Sequence, residues 1–226
     1  MQDYRKTNVV IKPTLAIETS GSACGVCIYK DDKDYINMSL LRDRSHAAKL
    51  ATLIESSLKN FDVTLRDIGR VAVSNGPGSF TGLRVGLSTA KGICAGAQIP
   101  LVLVPTAEVV AMEVSIAMSL DANFVVAAKV NTTEFYVTKF RKTSESYVVT
   151  DQTQVLPIEK IKEILFPGDI LVAEKNWFDS EKYVNLLSPN PMLVAKWAAE
   201  SGTEIDSNKI DFVEPYYFKE FIIKRK

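Results

Sequence analysis

Residues 70–104, RVAVSNGPGSFTGLRVGLSTAKGICAGAQIPLVLV, decide the fold. RVAVS (70–74) is an apolar run of strand length. Residues 75–79 are punctuated by glycine and proline, residues 80–97 carry an uninterrupted helical period, and LVLV (101–104) is a second short strand closed by Pro105. Strand, loop, helix and strand in that order indicate an α/β lobe.

Upstream, TLAIET (14–19), CGVCIY (24–29) and YINMSLL (35–41) are joined by a Gly21-Ser22 turn and by the charged turn KDDKD, which predicts an antiparallel meander. The spacing then predicts a helix over 46–60. Leu50, Leu53, Ile54, Ser57 and Phe61 lie along one side with Ala47, Ala51 and Leu58 beside them, an apolar arc wider than one core contact needs. Thr64 to Asp67 reads as a short helix start. Downstream, a helix after Pro105 runs to about Met118. It is followed by FVVAAKV (124–130), FYVTKF (135–140), SYVVT (146–150), a helix after Pro157 and the strand ILVA (170–173). Meander, helix and strand thus occur twice, so a duplicated α/β unit is expected, with its boundary near residues 105–120.

The 226 residues are 46% hydrophobic and 24% charged, which excludes disorder as the main state. Lys+Arg 27 against Asp+Glu 27 gives zero formal charge, unlike the positive field of a self-sufficient nucleic-acid binder. The apolar run Val9, Val10, Ile11 is too short for a signal-peptide core, and no stretch reaches membrane-span length, so a cytoplasmic location without membrane contact is expected. Cys24, Cys27 and Cys94 are odd in number, which fits free thiols in a reducing compartment.

The loop residues Gly76, Gly78, Ser79 and Thr81 admit two readings. They form a weak anion cradle at a helix N-terminus, or simply a tight turn. No Gly-Lys-Ser/Thr follows, so a Walker loop is excluded, and Gly-x-Gly-x-x-x-Gly departs from the dinucleotide fingerprint. On the following helix, Gly82, Val85, Gly86, Thr89, Gly92, Ile93 and Gly96 share one face, beside an apolar face of Leu83, Leu87, Ala90 and Cys94. Each interior glycine costs about 0.8–1.0 kcal/mol of helix propensity, so four of them imply close packing against something. That partner is either the 46–60 helix or another subunit.

His46 is the only histidine and opens the 46–60 helix. With leucine at position 50 it cannot form a His-x-x-x-His metal pair, so no metal site is expected. A Ser/His/Asp triad would need this same residue, and Gly-x-Ser-x-Gly is absent from the glycine loop. Cys24 and Cys27 have redox spacing, but in a strand they point to opposite faces. Glu18, Glu108 and Glu134 have the chemistry for acid/base work, yet no spacing pairs them. The C-terminal segment KEFIIKRK mixes basic and apolar residues.

LAIETSGSACGVCIY, RSHAAKLATLIESSL and the stretch from RVAVSNGPGSFTGLR to LVLVPTAE closely resemble the bacterial TsaB (YeaZ) family. The likeness covers residues 14–112 well and weakens to TTEFY and VEPYYF afterwards. It implies a duplicated actin-like, Hsp70-like or sugar-kinase-like fold. The expected division is a first lobe at 1–105, carrying the partner-binding helices, and a more diverged second lobe at 106–226. It also implies a non-catalytic subunit of the machinery that adds threonylcarbamoyl to the adenosine beside the tRNA anticodon. Such a subunit binds the catalytic paralogue TsaD through its first-lobe helices, works with the ATPase TsaE, and meets tRNA indirectly. Relatives carry aspartate where this chain has Glu18, and an Asp-Ala-Arg-type stretch where it has Lys129-Val130-Asn131, so robust ATP hydrolysis is not expected.

The residues expected at the interface are therefore His46, Leu50, Leu53, Ile54, Ser57, Gly82, Val85, Gly86, Thr89, Gly92, Ile93 and Gly96, with no catalytic residue and no cofactor. The same patch would support a homodimer of the chain alone. A glycoprotease-like or nucleotide-hydrolysing enzyme of the same fold is the alternative, and a direct tRNA-binding module a weaker one.

Overall fold

The computed structural model describes residues 12–41, 46–186 and 188–216. Strands β1 (Thr14–Glu18), β2 (Ala23–Asp31), β3 (Asp34–Leu41), β4 (Arg70–Ser74) and β5 (Leu101–Val104) form the body of a first sheet, ordered β5-β4-β1-β2-β3. β1 runs antiparallel to β2 and parallel to β4, which is parallel to β5. A second sheet repeats this plan with β6 (Asn123–Lys129), β7 (Glu134–Lys142), β8 (Tyr147–Pro157), β9 (Ile170–Ala173) and β10 (Tyr183–Asn185), ordered β10-β9-β6-β7-β8. Here β6 is antiparallel to β7 and parallel to β9. The two strand orders match one for one, so the chain is a duplicated, two-lobed α/β fold of actin-like plan.

Helices α1 (His46–Asn60) and α2 (Phe80–Ala97) cover one face of the first sheet, where Leu50, Ile54, Leu87, Ala90 and Cys94 meet Leu15, Ile17, Val26, Val71 and Val73. Every residue of β1 is buried, so the sheet is apolar on both sides and its other face also needs a cover. That cover is α5 (Pro191–Ser201), whose Leu193, Val194, Ala195 and Ala198 pack on Ala16, Cys27, Ala72 and Val102. Behind α5, the two-residue strand β11 (Glu204–Ile205) pairs with β5. The expected division at residue 105 is therefore corrected: the chain returns to the first lobe from Pro191 onward.

Helix α3 (Thr106–Ser115) lies between the sheets. Its Val109 faces α5, while Ala107, Val110, Ala111 and Val114 face Phe124, Val126 and Val172 of the second sheet. Glu108 ties the layers together by accepting from Tyr147 Oη at 3.3 Å and Trp197 Nε1 at 3.2 Å. The far face of the second sheet is closed by α4 (Ile158–Ile164), whose Ile161 is fully buried. Thr64 to Asp67 forms a turn and not a helix: the Asp67 carboxylate accepts from Thr64 N at 2.8 Å and Thr64 Oγ1 at 2.7 Å. Those bonds close the turn locally and leave no backbone to propagate from.

Candidate functional site

In α/β sheets, ligand clefts form beyond the carboxyl ends of parallel strands. Here the ends of β1, β4, β6 and β9 converge on a cleft of about 360 Å³ between the sheets. Ser20 to Ser22 and Pro77 to Ser79 form one wall, Ala127 to Lys129 and Ala173 to Glu174 the other, with Ala107 and Val110 of α3 between them. Trp177 and the Ser188 hydroxyl also line it, and Ser188 Oγ is buried with no hydrogen-bond partner among the described residues. Sequence reasoning took Gly21-Ser22 only as a turn and passed over Trp177, Glu174 and Ser188. Their signal was tertiary, because they meet only once two sheets face each other.

Glu18, the carboxylate at the end of β1, does not enter this cleft. It is fully buried; Oε1 accepts from Ser20 N at 2.6 Å and Ser20 Oγ at 2.5 Å, and Oε2 from Ser74 Oγ. Burial pushes its pKa up from the ordinary carboxylate value, against the opposing pull of these bonds. The lining charges are Lys129 and Glu174, one of each sign. Among the described residues no group of three or more His, Cys, Asp or Glu side chains is arranged to hold a metal ion. Glu108 lies in the α3 tie described above, and Glu134 accepts from Asn131 Nδ2 at 2.6 Å in the β6–β7 turn.

The glycine loop is packed inward. A Cβ on Gly78 would lie 2.6 Å from Ser20 O, and Ser79 N already donates to Ser20 O at 2.7 Å. Ser79 Oγ accepts from Gly82 N at 3.2 Å and caps α2. Gly76 is buried at φ 109°, a conformation that favours glycine, and exchanges backbone and side-chain bonds with Thr106. These bonds support the tight-turn reading. Thr81 is exposed on the first turn of α2.

The shared face of α2 divides in two. A Cβ on Gly82 would lie 1.9 Å from Thr19 O, and one on Gly86 2.3 Å from Thr19 Oγ1, so these glycines admit β1 of the same lobe. Among the described residues, no heavy atom lies within 4 Å of such a Cβ on Gly92 or Gly96. Val85, Thr89 and Ile93 are half-buried between these extremes. On α1, Leu50, Ile54 and Ser57 are buried within their own lobe and Leu53 is half-buried against it. The expectation of an outward face is therefore corrected for Leu50, Ile54, Ser57, Gly82 and Gly86, which the first sheet covers because both helices lie flat on it. Exposed are Thr81, Gly92 and Gly96, beside Ala47, Ala48 and Ala51, while Leu53, Val85 and Ile93 pack partly on the core of their own lobe and, with half-buried Thr89, form the edge of this surface. The side chain of His46 and the segment KEFIIKRK lie outside the described residues.

Cys24, Cys27 and Cys94 are buried free thiols, with pKa values that burial pushes up to about 11, 12 and 12. Thiols so disposed are poor nucleophiles. Among the described residues no helix is long and apolar enough to cross a membrane.

A family model described as TsaD: tRNA N6-adenosine threonylcarbamoyltransferase matches residues 41–206. The chain is 36% identical over 115 residues to the tRNA threonylcarbamoyladenosine biosynthesis protein TsaB of Haemophilus influenzae, across 50% of this chain and 47% of that protein. It is 35% identical over 92 residues to the protein of the same name from Escherichia coli, across 41% and 39%. The matched stretches thus span less than half the length of these curated relatives. The solved structure of YeaZ from Pseudomonas aeruginosa shares the fold, with TM-score 0.74 and 20% identity over 91% of this chain and 99% of that one. On the family-model match and these relatives, the chain belongs to the TsaD family in its broad sense, on the TsaB (YeaZ) branch.

Proposed function

We propose that this chain is a non-catalytic scaffold subunit in the formation of threonylcarbamoyladenosine in tRNA. It docks and holds a catalytic paralogue of the TsaD type through the outer face of α1 and α2. The observation that carries this reading is the open space above Gly92 and Gly96 beside half-buried Val85, Thr89 and Ile93. Two glycines of α2 that no neighbour among the described residues requires cost helix propensity without an internal contact to offset it. They allow a second helix to approach closely, and the relatives' part in threonylcarbamoyladenosine biosynthesis supports a partner that acts in that modification. The ATPase TsaE joins the larger complex, and tRNA is contacted through it, since the chain carries no net positive charge. Alone, the chain pairs with a second copy through the same face.

The test is light scattering on size-exclusion fractions of the chain alone and mixed with the paralogue from the same cell. A defined heterocomplex replacing the homodimer is expected. Gly92→Leu and Gly96→Leu should keep the monomer folded and abolish the complex. Complex formation unaffected by both substitutions would overturn the docking face. Steady ATP hydrolysis or stoichiometric bound metal in the purified chain would overturn the non-catalytic role.

A further inference from the structure

We propose that Glu18 is a positioning residue for the docking helix, fixing from inside the lobe the turn on which the N-terminal half of α2 is seated. This rests on the docking reading above for its consequence, but its geometry is independent of any partner. Glu18 bridges two strand ends far apart in sequence, taking both donors of Ser20 after β1 and the hydroxyl of Ser74 at the end of β4. The residues it holds are in turn the seat of α2. Ser20 O accepts from Ser79 N, and Thr19 Oγ1 donates to Gly82 O at 2.8 Å. The backbone of α2 approaches Thr19 so closely at Gly82 and Gly86 that neither position has room for a methyl group. Thr19 and Ser20 cannot shift without moving Gly78, Gly82 and Gly86 with them.

Among the described residues Glu18 has no cation partner, and the one other titratable group acting across this site is the Cys24 thiol. A buried carboxyl held by neutral donors alone is costly unless its bonds are needed, because an unpartnered or ionised group in such a place is strongly unfavourable. Gln at this position keeps the bridge with one bond reversed: its oxygen accepts from Ser20, and its amide donates to Ser74 Oγ as a protonated Oε2 would. Ala removes the bridge and leaves the Ser20, Ser74 and Gly21 donors unmatched.

The experiment reads amide hydrogen exchange in the isolated full chain at residues 82–87 of α2, with residues 125–127 of β6 as the reference, and partner affinity in parallel. For Glu18→Ala, exchange at 82–87 should quicken by about ten-fold or more relative to 125–127, and partner affinity should fall by a similar factor. Glu18→Gln should stay within about two-fold of wild type in both readouts, and should lose the excess loosening of 82–87 that wild type shows as pH rises and Glu18 ionises. Ser74→Ala, a milder change, should reproduce the Ala pattern in smaller measure and serves if Glu18→Ala does not fold. Equal quickening at both regions, or none at 82–87, would overturn the proposal. Failure of the wild-type chain to bind the paralogue would overturn the docking reading alone, because the exchange ratio still decides the role of Glu18.

Discussion

Gly86→Ala and Gly92→Ala make the same chemical change six residues apart on one helix, and the structure predicts opposite signs. At Gly86 the new methyl carbon would sit 2.3 Å from Thr19 Oγ1 and 3.4 Å from Val73 Cγ2, both in a fully buried layer. Relief requires Thr19 to move by more than 1 Å, which breaks its 2.8 Å bond to Gly82 O. Overpacking of this kind costs about 1–3 kcal/mol, and a buried hydroxyl left unmatched costs a similar amount. The helix-propensity gain of about 1 kcal/mol offsets only part of that, leaving a net loss of about 1–5 kcal/mol. At Gly92 nothing among the described residues lies within 4 Å, so only the propensity gain of about 1 kcal/mol applies. For a chain of this size each kcal/mol moves Tm by about 2–4 °C, so the two variants should differ by about 10 °C in thermal unfolding, with wild type between them. If Gly86→Ala proves as stable as Gly92→Ala, the seating of α2 on Thr19 is refuted, and with it the division of the glycine face into an inner and an outer half.

Three further outcomes follow from the same geometry. Because the folded-state pKa of Glu18 is raised above its ordinary 4.5, its contribution to stability is complete below that value and is lost as pH rises through the folded pKa; urea titrations should show wild type losing stability relative to Glu18→Gln from about pH 5 upward, and a parallel pair of curves would contradict a buried neutral carboxyl. Cys24, Cys27 and Cys94 should resist iodoacetamide at pH 8 in the folded chain and react fully in urea, as counted by intact mass; rapid labelling of any of them in the native chain would contradict its burial. Glu108→Ala should cost about 2–4 kcal/mol in denaturant unfolding, since it leaves Tyr147 Oη and Trp197 Nε1 without their shared acceptor, whereas Glu108→Gln should cost under about 1.5 kcal/mol.

The glycine loop shows how far a sequence can be read at one site. Its place between a strand and a helix and the Ser79 cap follow from local chemistry, and β4, α2, β5 and β9 fall on the residues their patterns predict. Whether the glycines serve a ligand or a neighbour is not a local matter. Gly78, Gly82 and Gly86 are glycines because residues 19 and 20 lie against them, a contact between segments some sixty residues apart. Likewise the apolar arcs of α1 and α2 give the correct amphipathic period but not the direction of each side. Leu50, Ile54 and Ser57 on one helix, and Gly82 and Gly86 on the other, turn out to face their own sheet.

By itself the sequence determined the elements, the duplicated order of meander, helix and strand, the family, and the lack of local motifs for metal, triad or Walker chemistry. Those depend on periods, turn residues and spacings that act within a few residues of one another. Tertiary structure alone decided that α5 returns from the second half to cover the first sheet, that Glu18 is sealed behind Ser20 and Ser74, and that four strand ends meet at one cleft. A strand buried on both faces states that two covers are needed, but the hydrophobic effect has no direction, so the strand cannot specify which distant helix supplies the second one.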